Sequence, residues 1–520
     1  MQKRMKIIIV IFVIIIVVPT ILFNALYFGF FRNNSEVEEP FSIYITDVDP
    51  KDMGPEEWLE DFNILYEMVR DNYPYLWVKN RTHGYDWLPL KDYYLDRISA
   101  VTTNEEFLAV LFDAVQALQN LHTHILSPSQ VYQYGELYSE LEMHPYADVF
   151  TYEVESANAY WYTIYNNLYA DRYFYALKAL PLYDQGQYVL RDGVGDWVEE
   201  YGNGSVILAV NGIPIDEAVK SCYEKAYLNY DFIREKLYLP SINAVHFGPE
   251  ATFTIQNTTG YSTNRTIGQT YGTYFNPWNY PGDRLYTQMW PEEKTAYLHI
   301  QSFWLDFIEE DNPFLLSFYN QINNYDHLII DIRGNGGGST NYMIQNIINP
   351  LANKDFLYKN YFAFRTGDYV QYFRKSANIT ETIATDLFDY LPPEVLTDNF
   401  DLYNTSWPIS APTDQYDFDG EISLLVDKNV YSAAETFAVF CKQTDFATVY
   451  GTYTGGDGIG MTPLYFVLPN SKLVIRMSTL MGLNVNGYAN EEVRTEPDVL
   501  YESSFGNWTE LIDYVKANPP

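Results

Sequence analysis

Glu421-Ile422-Ser423-Leu424-Leu425-Val426-Asp427-Lys428-Asn429-Val430-Tyr431-Ser432-Ala433-Ala434-Glu435 is the stretch on which the rest of the chain turns. Ile422 to Val426 is a short apolar run of the kind a buried strand makes. Asp427, Lys428 and Asn429 break it. A helical pattern then runs through Phe437, Ala438 and Phe440. Ser432 is therefore expected where a strand turns into a helix. The first turn of a helix offers N–H groups without partners and a positive dipole end, which suits the stabilisation of an oxyanion. Ser-Ala-Ala-Glu is equally a capping box, with Ser432 as the cap and Glu435 reaching back. The local pattern leaves both readings open.

Working outward, a second stretch has the same form. Leu328-Ile329-Ile330-Asp331-Ile332 reads as a buried parallel strand. It ends in Arg333-Gly334-Asn335-Gly336-Gly337-Gly338-Ser339-Thr340, followed by a helix through Met343 and Ile347. A glycine run at a strand-to-helix junction lets backbone N–H groups approach a ligand closely. The spacing is not that of a dinucleotide fingerprint, and the lysine of a phosphate loop is missing. After the Ser432 helix come Gly451-Thr452-Tyr453-Thr454-Gly455-Gly456-Asp457-Gly458 and then a hairpin pattern around Asn470-Ser471. Glu491 to Asp498 precedes a last helix from Trp508 to Val515.

Toward the N-terminus, Trp58, Phe62, Leu65, Tyr66 and Val69 follow helical spacing, as do Phe107, Leu108, Leu111, Phe112, Val115 and Leu118. The second helix is expected to start at Thr103-Asn104-Glu105-Glu106 and to run into Leu121-His122-Thr123-His124. Two histidines at i and i+2 do not share a helix face, so a metal pair is not expected. Between Pro145 and Arg284 one piece stands out. Gly204 to Ile215 reads as a strand, an Asn211-Gly212 turn and a second short strand, with a helix from Asp216.

The totals set bounds. A chain of 520 residues suits several domains. A net charge of −36 with no basic run after residue 6 argues against nucleic acid. Cys222 and Cys441 are the two cysteines, and Cys441 is expected as a buried free thiol. Lys3, Arg4 and Lys6 precede the apolar run Ile7 to Phe23, which continues after Asn24 to Phe31. This segment is long enough to span a bilayer. The positive flank would stay cytoplasmic and put the bulk of the chain outside the cell. A cleaved signal peptide competes, but no clean small-x-small site follows the run. The expected layout is a membrane anchor over 1–32, a linker over 33–55, a helical region over 56–130, a β-rich region over 131–284, an α/β region over 285–505 and a C-terminal helix over 506–520.

Taken together, these stretches resemble the C-terminal-processing (tail-specific) serine peptidases. That family ends a strand in Asp-Leu-Arg-x-Asn-x-Gly-Gly, matched by Asp331 to Gly338, and carries its nucleophile in Ser-Ala-x-Glu, matched by Ser432 to Glu435. Its Glu-x-x-Gly-x-x-Pro-Asp is matched loosely by Glu491 to Asp498, with Arg494 where glycine is usual. The resemblance implies a multidomain α/β fold: an N-terminal helical region, a PDZ-like β-rich domain around Val206 to Ile215, and a ClpP/crotonase-like peptidase core. The best-known branch pairs serine with a lysine in Gly-x-x-Thr-Phe-Gly-Lys-Gly. Gly451 to Gly458 aligns with that motif without a gap and has Asp457 at the lysine place. The tricorn-core-like branch instead takes a histidine from a motif like Asp-Gly-His-Thr, matched by Asn120-Leu121-His122-Thr123.

The resemblance thus implies Ser432 as nucleophile, His122 as base, and Glu491 orienting His122 directly or through another group. The Ala433 N–H and an N–H of Gly336 or Gly337 would form the oxyanion hole. A serine hydroxyl needs such a base near neutral pH, and a carboxylate can fix the imidazole tautomer. The expected substrate is a polypeptide, and no cofactor or metal is implied. Because the family includes a retinoid carrier, an inactive relative binding a peptide or hydrophobic ligand is the other expectation.

Overall fold

A computed structural model describes residues 44–173, 181–191, 197–242, 244–248, 250–268, 283–411, 418–504 and 506–520. The expected anchor over 1–32 lies outside the described residues. Among the described residues no helix is long and apolar enough to cross a membrane.

The N-terminal region is helical because its apolar spacing can be buried. Helix Pro55–Asn72 starts where the Glu57 carboxylate accepts from the Gly54 N–H at 2.9 Å. Its face of Trp58, Phe62, Leu65 and Val69 is buried. Each such side chain contributes about 1.5–3 kcal/mol on leaving water. Helix Leu76–His83 stops at Gly84, whose φ of 78° is left-handed. Helix Asn104–Gln116 is capped by Thr103, which accepts from the Glu106 N–H at 3.2 Å. It ends earlier than its apolar spacing suggests. Gln119 turns at φ 52°, Leu121 is exposed, and the chain emerges as the two-residue strand His124–Ile125.

That short strand ties the helical region to the α/β core. It pairs antiparallel with Val474–Met477, which pairs in turn with Leu464–Val467. The helical region and the α/β core share one continuous apolar cluster, from Met53 through Tyr165 and from Ala296 to Ala489.

The core sheet runs in the order Leu285–Trp290, Thr295–Ile300, His327–Asp331, Glu421–Val426, Thr448–Gly451, Val499–Leu500. Its first pair is antiparallel and the rest are parallel. Strand periodicity sorts its side chains to two sides. Tyr297, Ile329, Leu425 and Tyr450 pack against Leu511, Ile512 and Val515 of the C-terminal helix Trp508–Ala517. Leu328, Ile330, Leu424, Val426 and Val449 face the main core. Both faces are covered, which is why these strands read as unbroken apolar runs. The long strands Phe356–Arg365 and Phe400–Ile409 pair with each other, and the first also pairs with Met481–Leu483.

The β-rich part over 182–268, expected to be PDZ-like, has its own apolar cluster. Its sheet runs Leu182–Asp184, Gln187–Val189, Val206–Val210, Glu250–Gln256, Ser262–Gly268, with Ile213–Pro214 beside Val206–Val210. Asn211 and Gly212 turn at φ 52° and 78°, the signature of a tight hairpin turn. The second hairpin, Asn229–Asp231 with Lys236–Tyr238, touches the core. Arg234 pairs with Glu502 at 2.8 Å, and the Phe232 ring stacks on Tyr453 at 4.5 Å. Cys222 and Cys441 are buried free thiols.

Candidate active site

The strand Glu421–Val426 sets the position of Ser432. Its carboxyl end opens on the crevice where ligands bind in open α/β sheets. Asp427 Oδ1 then accepts from the Asn429 N–H and, across the crevice, from the Gly334 N–H, both at 3.0 Å. The turn of Ser432 is thereby tied to the glycine loop. The Ser432 N–H donates to the Gly456 carbonyl at 3.2 Å, and helix Ala433–Thr444 begins at the next residue.

Ser432 itself has φ 57° and ψ −124°. A non-glycine residue held there stores about 1–3 kcal/mol, and such strain persists only where the surroundings impose it. Its hydroxyl makes no capping hydrogen bond. Glu435 does not reach back either. It is buried and accepts from Asn490 Nδ2 at 2.7 Å and Thr495 Oγ1 at 2.6 Å. The capping-box reading of this motif is therefore not what the chain adopts.

The Ser432 hydroxyl meets His122. Oγ lies 2.9 Å from His122 Nε2, and His122 Nδ1 lies 2.9 Å from Asp457 Oδ2. An ionised carboxylate can only accept, so Nδ1 carries the proton and the Nε2 lone pair faces the hydroxyl. Asn120 holds this arrangement from below. Its Oδ1 accepts from the His122 N–H at 3.0 Å and lies 3.0 Å from Ser478 Oγ, while its Nδ2 donates to Asp457 at 2.9 Å. An aspartate at 120 would set a second carboxylate against Asp457; the amide supplies a donor instead.

Asp457 collects further donors. Tyr75 O–H reaches Oδ1 at 2.5 Å, Ser478 O–H reaches Oδ2 at 2.8 Å and Tyr431 O–H at 3.3 Å. Burial alone would raise this carboxyl. The imidazole of His122 and the hydroxyl and amide donors of Tyr75 and Asn120 outweigh it and hold the group well below its ordinary value of 3.8. A carboxylate depressed in the fold adds stability above its unfolded value and loses that contribution as pH falls through the folded one. The parent chain is thus expected to hold a stability margin over Asp457→Asn that is complete above about pH 4 and shrinks in acid. Denaturant midpoints of the two proteins at about pH 6 and about pH 3 check the sign.

Glu491, expected to orient His122, is elsewhere. Its Oε1 accepts from Lys79 Nζ at 2.6 Å and its Oε2 from Arg494 Nη1 at 2.5 Å, all three side chains being nearly inaccessible. Both oxygens are taken by cations, and Asp457 occupies the place at Nδ1. Arg494 has φ 59° and ψ −173°, a conformation natural to glycine, which explains why glycine is usual in the resembling motif. Here the strained backbone is offset by what the side chain binds: Glu491, the Gly455 carbonyl and Tyr227 of the PDZ-like part at 3.3 Å. Gly456 lies directly under the guanidinium, where a Cβ would come within 2.0 Å of Nη1.

The glycine loop packs against Ser432. A Cβ on Gly337, at φ 99°, would fall 2.6 Å from the Tyr431 carbonyl and 2.8 Å from the Ala433 nitrogen. Asn335 shapes the loop by donating to the Ile300 carbonyl at 3.1 Å and accepting the Gly337 N–H at 2.8 Å. The Gly337 donor is thus committed. The N–H groups of Gly336 and Ala433 make no hydrogen bond among the described residues, and both residues line the cleft in front of Ser432. Arg333 plays a supporting part. It pairs with Asp331 at 2.6 Å and lies 3.7 Å over the Trp508 ring, which fastens the C-terminal helix.

The structure therefore brings Ser432, His122, Ala433, Gly336 and Gly337 together and leaves Glu491 apart. Sequence reasoning missed Asp457, Tyr75, Asn120 and Ser478 as partners. For Asp457 a signal existed: the gapless alignment that placed it where the related branch keeps its lysine.

The model of Peptidase family S41 matches residues 294–501, and that of the Tricorn protease C1 domain matches residues 55–116. No curated protein matches the chain by sequence. Among solved structures, mature CPAF is similar at 15% identity and a TM-score of 0.52, covering 89% of this chain and 96% of that one. Mature CPAF complexed with lactacystin gives 15% identity and 0.51, over 89% and 98%. The photosystem II D1 C-terminal processing protease gives 13% identity and 0.36, over 86% and 93%. At such identities the two CPAF structures speak for the fold alone, and the third carries no argument. The family match spans both strand-to-helix junctions, the glycine loop and the Ser432 turn, with a tricorn-type segment over the helices ahead of His122, and on that basis the chain is a serine peptidase of family S41.

Proposed function

We propose that the chain hydrolyses internal peptide bonds through Ser432, His122 and Asp457. The observation that carries this reading is the unbroken line of two 2.9 Å contacts from hydroxyl to imidazole to buried carboxylate. His122 Nε2 takes the proton as Ser432 Oγ attacks the carbonyl carbon, and Asp457 stabilises the imidazolium that forms. The tetrahedral oxyanion is met by the N–H groups of Ala433 and Gly336. His122 then hands its proton to the leaving amine. A water deprotonated by the same imidazole releases the acyl group from Ser432. A cleft of 1280 Å³ in front of Ser432 has room for an extended polypeptide. In this reading the PDZ-like sheet grips the substrate by strand addition, and residues 1–32 anchor the enzyme to the cell membrane with its bulk outside.

A fluorophosphonate probe tests the site. Labelling of the full chain is expected, absent in Ser432→Ala and strongly reduced in His122→Ala. Equal labelling of all three proteins, or of none, would remove the assignment and favour a carrier role.

A further inference from the structure

The wall of the cleft beside the Ser432–His122 pair holds a cation that the chemistry above does not use. Arg476 lies in strand Val474–Met477, between His124 on one neighbouring strand and Tyr465 on the other. Cross-strand neighbours share a face of the sheet. Ser478, two residues on, donates to Asp457 at 2.8 Å. Residues at i and i+2 on an extended chain point the same way and lie about 7 Å apart. Arg476 is thus directed into the cleft about one residue spacing from the catalytic line, and it lines the same cavity as Ser432 and His122.

Its surroundings leave it wanting an anion. The groups around it are the phenols of Tyr465, Tyr134, Tyr138 and Tyr431 and the His124 ring, and Tyr465 accepts a hydrogen bond from it. No carboxylate pairs with it among the described residues, and its Nε is buried without a hydrogen bond. A buried guanidinium nitrogen without a partner is costly, and the planar fork of an arginine matches a carboxylate through two parallel bonds. The other cation at the cleft, Lys428, sits over the Tyr238 ring at 4.7 Å on the PDZ-like side. Of the acids lining the cleft, Glu136, Glu140 and Asp306 are exposed and therefore screened, and the buried Asp457 is committed to His122, Tyr75 and Asn120.

We propose that Arg476 is a specificity-determining residue that binds a carboxylate of the substrate next to the scissile bond. This rests on the peptidase reading of the cleft. The carboxylate belongs either to an acidic side chain or to the substrate's own C-terminus, and the two are separable.

Binding to the full chain carrying Ser432→Ala is read by fluorescence anisotropy, so that no turnover is needed. Three labelled peptides of otherwise equal sequence are compared: an internal Glu with an amidated end, an internal Gln with an amidated end, and an internal Gln with a free C-terminus. One of the two carboxylate peptides is expected to bind about tenfold or more tightly than the neutral one. Whichever it is names the source. Adding Arg476→Gln is expected to erase the difference, and Arg476→Lys, which keeps the charge but loses the fork, to restore part of it. Equal binding of all three peptides, absence of binding, or a preference that survives Arg476→Gln overturns the proposal. Failure of the fluorophosphonate test with the preference intact would overturn the hydrolase reading and leave Arg476 as the carboxylate-binding residue of a carrier cleft.

Discussion

Asp457→Asn is expected to lower kcat/KM for peptide hydrolysis about 10⁴-fold while leaving Ser432 and His122 in place. The reason is directional. Every neighbour of the carboxylate is a donor: Tyr75, Asn120, Tyr431, Ser478 and His122 Nδ1 all point hydrogens at it. An amide offers one accepting oxygen and a pair of hydrogens. Whichever way it turns, an N–H is aimed at a group that was donating. If the hydrogens face His122, Nδ1 must accept, the imidazole proton moves to Nε2, and that nitrogen can no longer take the proton of Ser432. Steady-state kinetics on one peptide, with the fluorophosphonate labelling rate measured alongside, gives the answer. Both rates should fall together. A loss smaller than about tenfold would mean that another group sets the tautomer.

Much of this site could be read before the fold was seen, and the parts that could not share a cause. Ser432 was legible because its setting is local: an apolar strand, three polar residues and a helix within fifteen positions. What separates its nucleophile role from an N-cap is a φ of 57°, and Ser-Ala-Ala-Glu carries no mark of that. His122 was legible through resemblance, although the helix ahead of it was extended too far. Leu118 and Leu121 keep the apolar spacing although the helix has ended at Gln116 and the chain turns at Gln119.

The acid was misassigned because its role depends on contacts between distant segments. Glu491, in the short helix Asn490–Val493, and Asp457, in a glycine loop, both follow the nucleophile, and only the fold shows which one meets an imidazole and which one meets two cations. The stretch from Lys354 to Gly420, in which no chemistry was found, supplies the paired strands Phe356–Arg365 and Phe400–Ile409. The PDZ-like hairpin was announced by Asn211-Gly212, since few residue pairs tolerate its two left-handed positions.

Glu491→Gln is expected to act on stability, at a cost of about 3–5 kcal/mol. The wild-type carboxylate is fully enclosed and neutralises two cations at once, Lys79 from the helical region and Arg494 beside the Gly455 to Gly458 loop. Gln keeps the shape but leaves two ammonium-type charges buried with a neutral amide between them. Burial already lowers the Lys79 ammonium against the pull of Glu491, so the variant can shed part of the cost by releasing that proton. Arg494 has no such outlet. Its hold on the Gly455 carbonyl and on Tyr227 would carry the strain to the loop that bears Asp457 and to the PDZ-like part. The urea midpoint of Glu491→Gln should therefore fall well below that of the parent. Glu491→Gln combined with Lys79→Met should recover part of the loss, because one of the two stranded charges is gone. A single variant that unfolds at the parent's urea concentration would show that the cluster is not what fastens these three segments. In that case the search for an acid acting on His122 through a longer path would reopen at Glu491.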